Sequence, residues 1–536
     1  MNFKRIALAS LGLLGGLGLL AQSEDKAADV PTDQRTHWHH AAPNASTLEG
    51  VSTLEAYERL KGKKTKTIVV AIIDSGVDVE HEDLKDKIWV NEDEIPDNGI
   101  DDDQNGFVDD IHGWNFLGNA EGENIVMANL ESTRIYRKYR NEFEGKSASD
   151  FQGDELALFN TYNEARDAVL AERKEMQEYQ QIIDQISETY EIIDEILTKE
   201  FGDAEYTQEE VQALETNDPR LKEARRIYLI LASDGIDGEG IRQQQEQISE
   251  RLDYHLNLNF KSREKILGDD LNSLDYGQYG NNDVIGGKEN AEHGTHVAGI
   301  VAADRGNDLG VEGIAADVEI MVLRTVPNGD EMDKDVANSI RYAVDNGAQI
   351  INMSFGKDFS PQRQMVIEAI QYAEEKGVLL VHGAGNDASD NDAFGNFPND
   401  RDAGSAIWLE VGASDAEAGL SLVADFSNYG LTSVDIFAPG VDIYSTLPSD
   451  QYGERSGTSM ASPVVAGVAA LLWSYFPELT AAQIKTILET SAIYHGKQKV
   501  YRPNEDGKKK KTKFKKLSAT GGIINVLEAV KMAEDM

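Results

Sequence analysis

The chain has 536 residues, room for more than one domain-sized unit, and carries 95 acidic against 51 basic side chains for a formal charge of −44. So acidic a chain argues against nucleic acid as a partner and for high solubility or divalent-cation binding. It contains no cysteine, which excludes disulfides, thiolate metal sites and a lipidated N-terminal cysteine but does not exclude export.

Lys4 and Arg5 precede the apolar run from Ile6 to Ala21, and Gln22-Ser23-Glu24-Asp25 then turns polar. This pattern predicts a secretory signal peptide over residues 1–22, cut near Ala21 or Ser23. The run is short of the about 20 apolar residues that a spanning helix needs, and no second long apolar segment follows. The expectation is an exported chain, periplasmic or extracellular, with no stable membrane span once the signal is removed. Residues 23–48 read as a polar leader, in which His37, His39 and His40 are incidental rather than metal ligands.

Residues 49–117 open with a short helix predicted over Glu49–Lys61. Thr67 to Asp78 then reads as a buried β-branched strand ending in an acid and a glycine turn, Asp74-Ser75-Gly76. Further on, Asp101, Asp103, Asn105 and Asp109 place oxygen side chains at alternate positions around Gly106. Such donors suit a hard cation, and a structural calcium is expected here, although the distal Glu and second helix of a full EF-hand are missing. A solvated turn is the competing reading; the crowding of carboxylates without a cation counts against it.

Residues 118–282 change character, becoming rich in Glu, Gln, Lys and Arg. Leu158, Tyr162, Ala165, Val169, Met176, Tyr179, Ile183, Ile186, Tyr190, Ile193 and Leu197 recur at three- and four-residue steps, interrupted by Glu172. That is a helical seam. Further helical patterns run from Glu209 to Leu231 and from Ile241 to Leu256. Together they predict an inserted all-helical subdomain, a structural arm or a surface for oligomer or partner contact.

Residues 283–536 begin with Glu292-His293-Gly294-Thr295-His296 ahead of a small-residue helix, Val297 to Ala303. Strands are predicted at Val318–Leu323, Ala348–Ser354 and Val378–Val381, separated by helices at Asp335–Asn346 and Gln362–Glu375. That alternation indicates an α/β fold with a doubly wound parallel sheet and chemistry at the carboxyl ends of its strands. Asp387 to Asp402 is an acidic loop, read as surface in preference to a second cation site. Ser456-Gly457-Thr458-Ser459-Met460-Ala461-Ser462-Pro463 then leads into an apolar helix. Ser459 therefore falls at a helix N-terminus, where free N–H groups and the helix dipole favour a developing oxyanion. The basic run Lys508–Lys516 reads as an exposed loop, and Gly521–Glu534 as a closing amphipathic helix.

Asp, His and Ser are the types needed to orient a base, to act as that base and to attack. In the order Asp74, His293, Ser459, with their flanking residues, they resemble the subtilisin-like serine peptidases (subtilases). The resemblance covers about residues 49–116 and 283–475. It implies a subtilisin-like fold and an acyl-enzyme mechanism on a protein or peptide substrate, with Asn386 in the oxyanion hole. It also implies that Ser354, Phe355 and Gly356 receive the substrate backbone, and that His296 is structural. Lys357 departs from the pattern, standing where a second glycine is common. So do the 219 positions separating Asp74 from His293 and the lack of room for a domain-sized inhibitory propeptide. The alternative reading is a subtilase-fold scaffold that binds proteins through the helical insertion with little or no turnover.

Overall fold

The computed structural model describes residues 36–43, 48–202, 206–273, 279–504 and 508–536; the signal-peptide expectation lies outside them. Two compact units emerge among these residues: Ser132–Phe260, and the remainder up to Glu131 together with Lys261–Met536.

The larger unit is built on a nine-stranded sheet. In chain order its strands are β1 (Ile68–Asp74), β2 (Gly113–Asn115), β3 (Val318–Arg324), β4 (Ile350–Met353), β5 (Leu379–Gly383), β6 (Trp408–Ser414) and β7 (Ile436–Pro439). After a separate hairpin of β8 (Ile443–Leu447) and β9 (Gln451–Arg455) comes β10 (Ile493–Tyr494). A second hairpin of β11 (Lys499–Arg502) and β12 (Lys510–Lys513) precedes the last strand, β13 (Gly522–Ile523). The spatial order is β10-β13-β7-β6-β5-β4-β1-β3-β2. Every pair is parallel except β10 with β13. A parallel sheet covered on both faces needs strands that are apolar on both sides; Ile-Val-Val-Ala-Ile-Ile in β1 is such a run, with only Val69 partly exposed. Because β1 lies between β3 and β4, the chain crosses over β1 on its way to β4, and the carboxyl ends on either side open into a crevice.

Two helices from opposite ends of the sequence line that crevice. Glu292–Ala302 carries the histidine and Thr458–Tyr475 the serine, and they pack on each other. A Cβ on Gly294 would lie 2.1 Å from Gly76 O and 3.2 Å from Asp74 Cβ, so only glycine lets the histidine helix approach β1 this closely. The serine helix is the sole described helix long and apolar enough to cross a membrane, and it is a buried core helix.

Three boundaries differ from the sequence reading. Among the leader's described residues, Trp38, His39 and His40 are buried rather than polar padding, with Trp38 Nε1 donating to Val441 O at 3.1 Å and His40 Nε2 2.8 Å from Glu312 O. This stretch doubles back on itself, Val51 N donating to His39 O at 2.9 Å, and then meets the C-terminal helix Val526–Glu534 through Val526 N to Val51 O, 2.9 Å. Next, residues 118–131 and 261–282 belong to the larger unit rather than to the insertion. Both flanks are tied to the first turn of helix Asp333–Asp345: buried Lys357 Nζ meets Glu131 Oε2 at 3.2 Å and Asp333 Oδ1 at 2.8 Å, while Arg263 meets Asp335 at 2.6 Å and Lys334 meets Asp269 at 2.8 Å. Finally, the pattern read from Glu209 to Leu231 is two helices, Gln208–Ala213 and Pro219–Ser233, because Pro219 starts a new one with Asp218 as its cap.

The smaller unit is all helical. Its spine is the 49-residue helix Gly153–Phe201, which buries Tyr162, Ala165, Val169, Ile183, Ile193 and Leu197 of the seam. Helix Pro219–Ser233 packs on one part of it around Ile193, Leu197, Leu221 and Ala224; helix Gly238–Glu250 packs on another around Ile183, Ile241 and Ile248. Glu172, which interrupts the seam, pairs with Arg251.

Candidate active site

Asp74 ends β1 at the crevice and is 1% exposed. Its Oδ1 accepts from Ser75 N at 2.7 Å and lies 2.8 Å from His293 Nδ1; its Oδ2 is buried without a hydrogen-bond partner. His293 sits in the first turn of its helix with a side chain 43% exposed, so part of the ring is open to solvent. Burial of the ring's inner edge opposes the imidazolium, but the Asp74 carboxylate outweighs it and, with Glu292, holds His293 above its usual pKa. His296, one turn on, is fully buried with Nε2 3.1 Å from Gly453 O, and burial pushes it down to about 3.

Ser459 is the second residue of its helix. Its hydroxyl donates to Ser354 O at 3.0 Å rather than to His293, while Ser354 Oγ donates back to Ser459 O at 2.9 Å. The base and its orienter are thus together, and the nucleophile is turned aside onto the segment after β4. Such contacts often tighten only when substrate arrives. Ser462 Oγ to Asn352 Oδ1 (2.7 Å) and Asn352 Nδ2 to Ser354 Oγ (2.9 Å) brace this segment from behind.

Asn386 follows β5. Its Oδ1 accepts from Thr458 N at 2.9 Å and Thr458 Oγ1 at 3.1 Å, which fixes the amide orientation and leaves Nδ2 as a free donor. The point where a Cβ on Gly457 would sit is 3.6 Å from Asn386 Nδ2 and 3.5 Å from Ser459 N. Asn386 Nδ2 and Ser459 N thus flank one point, which is also 3.7 Å from Ser459 Cβ. Phe355 is half-buried and Gly356 exposed; a Cβ on Gly356 would lie 2.4 Å from Asn396 Oδ1.

In the acidic loop, two of the expected ligands, Asp101 and Asp103, come together and Glu94 joins them. Carboxylate oxygens of Glu94, Asp101 and Asp103 lie within 4.8 Å of one another, an all-oxygen set able to chelate a divalent cation. Asp109 accepts from Asn98 N and Gly99 N at 3.1 and 2.9 Å and Asn105 Oδ1 from Phe107 N at 2.7 Å, as Glu94 does from Asp102 N at 2.7 Å and Asp101 from Gly106 N at 3.0 Å. Glu94 was not legible as a member because it precedes the Asp/Asn alternation. In the other acidic loop, Asp392 is taken up by Leu431, Thr432 and Ser433, which donate to it at 2.7–3.4 Å.

The sequence profile of the subtilase family (peptidase S8) matches residues 65–521. The thermophilic serine proteinase of Bacillus sp. strain AK1 is 44% identical over 183 residues, which is 34% of this chain and 42% of that protein. Subtilisin DY of Bacillus licheniformis is 37% identical over 215 residues, covering 38% of this chain and 74% of that one. Thermitase of Thermoactinomyces vulgaris is 39% identical over 201 residues, covering 37% and 67%. The matched stretch thus spans from under half to about three quarters of these relatives.

Proposed function

The chain belongs to the subtilase family of serine peptidases, and from that premise we propose that it is an exported endopeptidase working through an acyl-enzyme on Ser459. His293 Nε2 accepts the Ser459 proton as Oγ attacks the scissile carbonyl, and Asp74 orients the ring and stabilises its cation. The oxyanion is held by Ser459 N–H and Asn386 Nδ2. As the C–N bond breaks, His293 returns the proton to the leaving amine; water then repeats the sequence in the second half and frees the acid. Ser354, Phe355 and Gly356 receive the substrate as an added strand. What carries the reading is the 2.8 Å contact of Asp74 with His293 beside a serine at a helix N-terminus.

Calcium is the cation proposed for the acidic loop, held by Glu94, Asp101 and Asp103, where it would neutralise the crowded carboxylates and stiffen the turn. The export reading, to periplasm or medium, rests on the basic and then apolar start of the chain, Lys4-Arg5 followed by Ile6 to Ala21.

Hydrolysis of an unfolded protein substrate, measured for wild type and Ser459→Ala, tests the reading. Cleavage lost in the variant with its fold intact is the expected result. A folded, calcium-loaded wild type that cleaves nothing would contradict it and favour a binding scaffold.

A further inference from the structure

Where β4 and β5 part, the substrate-facing segment loses its ladder. The pairing ends at Met353 opposite His382, and Ser354, Phe355 and Gly356 continue outside any strand. Successive carbonyls of an extended segment point to opposite sides. That of Ser354 accepts from Ser459 Oγ, so that of Phe355 points away from the nucleophile into protein, where an unmet acceptor is costly.

His382 meets it. Its Nε2 lies 2.7 Å from Phe355 O. Behind it stands Glu410, its lateral neighbour in the β5–β6 register, with Oε2 3.0 Å from His382 Nδ1. Trp408 Nε1 donates to the same oxygen at 2.9 Å. A line of polar contacts therefore crosses from β6 through β5 to the end of β4, with His382 wholly buried and Glu410 4% exposed. The two nitrogens of His382 face a carbonyl and a carboxylate: Nε2–H donates to Phe355 O, and a proton is shared between Nδ1 and Glu410. Burial opposes charge on both partners and pushes the Glu410 carboxyl up, while Glu410, with Glu331 adding to the effect, holds His382 above its usual pKa.

Two apolar side chains of similar volume would fill this space at no loss of stability in many proteins. Stability alone is thus a poor reason for a buried polar pair at this spot, and nothing in the Ser459 chemistry uses it. We propose that His382, braced by Glu410, is a positioning residue for substrate binding: it locks the Phe355 carbonyl so that Ser354 and Gly356 stay presented to the incoming peptide strand. This rests on the peptidase reading above.

The test compares wild type, His382→Leu/Glu410→Leu and His382→Gln. The double variant removes both partners together and so leaves no unpaired carboxylate in the core; His382→Gln keeps an N–H donor. Two readouts separate the roles: KM and kcat for a peptide with several residues before the cut, and the rate at which a small fluorophosphonate labels Ser459. Losing one positioning hydrogen bond should raise KM roughly tenfold in the double variant while labelling stays within about twofold of wild type. His382→Gln should recover most of the KM. A double variant with wild-type KM, labelling that falls in step with peptide hydrolysis, or no recovery by His382→Gln would overturn the proposal. A wild type that neither labels nor cleaves would instead overturn the peptidase reading.

Discussion

At the scale of single residues, the base is tuned by two opposed effects, burial against the imidazolium and the Asp74 carboxylate for it, and the carboxylate prevails. Only neutral His293 can accept the Ser459 proton. With its pKa raised above 6.5, kcat/KM should therefore fall on acidification with a midpoint on the alkaline side of 6.5. Asp74→Asn should move that midpoint down and cost about 10⁴ in kcat, since the ring loses its tautomer control; an unmoved midpoint would contradict the assignment. Asn386→Ala should lower kcat by about 10²–10³ with KM little changed, the loss known for the matching amide of subtilisin. Asp74, His293 and Ser459 were readable from residue type and chain order together with a resemblance to a known family, and Asn386 through that resemblance alone. Glu94 and the His382–Glu410 pair were not, since each gains its partner across strands or turns rather than along the chain.

Elements behaved as their periodicity said where burial follows local pattern, and departed from it where distant chain supplies the cover. The strands and helices after Asp283 were readable because a parallel sheet demands apolar runs alternating with amphipathic helices. Residues 36–43 have no such period; buried Trp38 finds its hydrogen-bond acceptor in Val441 O, 403 positions away. The histidines of this strap are kept neutral: burial, with neighbouring cationic groups, pushes His39 down to about 3. In the unfolded chain the same ring titrates near 6.5, so below that pH the unfolded state binds protons that the folded state does not. Stability is therefore full above about pH 6.5 and is lost as pH falls toward 3; between pH 7 and 5 the loss should be about 2 kcal/mol for His39, and a similar one for His296. Melting temperatures of wild type and His39→Phe across that range would show it, the variant losing less on acidification. Lys357 makes a second element-scale case. It is almost wholly buried between Glu131 and Asp333, so Lys357→Met should destabilise by about 3–5 kcal/mol by removing the counter-charge of two buried carboxylates. Denaturant midpoints would decide, and a neutral substitution would mean that the cluster does not hold the flank of the insertion.

Across the whole molecule, two units with separate apolar cores share one chain. Their existence was legible in the shift of composition and period, but the boundaries were not: the segments flanking the insertion are polar, and what assigns them to the larger unit is a set of buried ion pairs on one helix turn. Independent cores predict two calorimetric transitions instead of one. If calcium occupies the loop of Glu94, Asp101 and Asp103, chelation should lower the transition of the larger unit and leave the other in place. A single transition insensitive to chelator would refute both statements. The central claim remains that Ser459 is an activated nucleophile served by His293 and Asp74. Its most direct test is covalent labelling of the purified protein by a fluorophosphonate, wild type beside Ser459→Ala and His293→Ala. The account predicts stoichiometric labelling of wild type on Ser459 and none of either variant; a wild type that stays unlabelled while folded and supplied with calcium, or a Ser459→Ala variant that still labels, would contradict it.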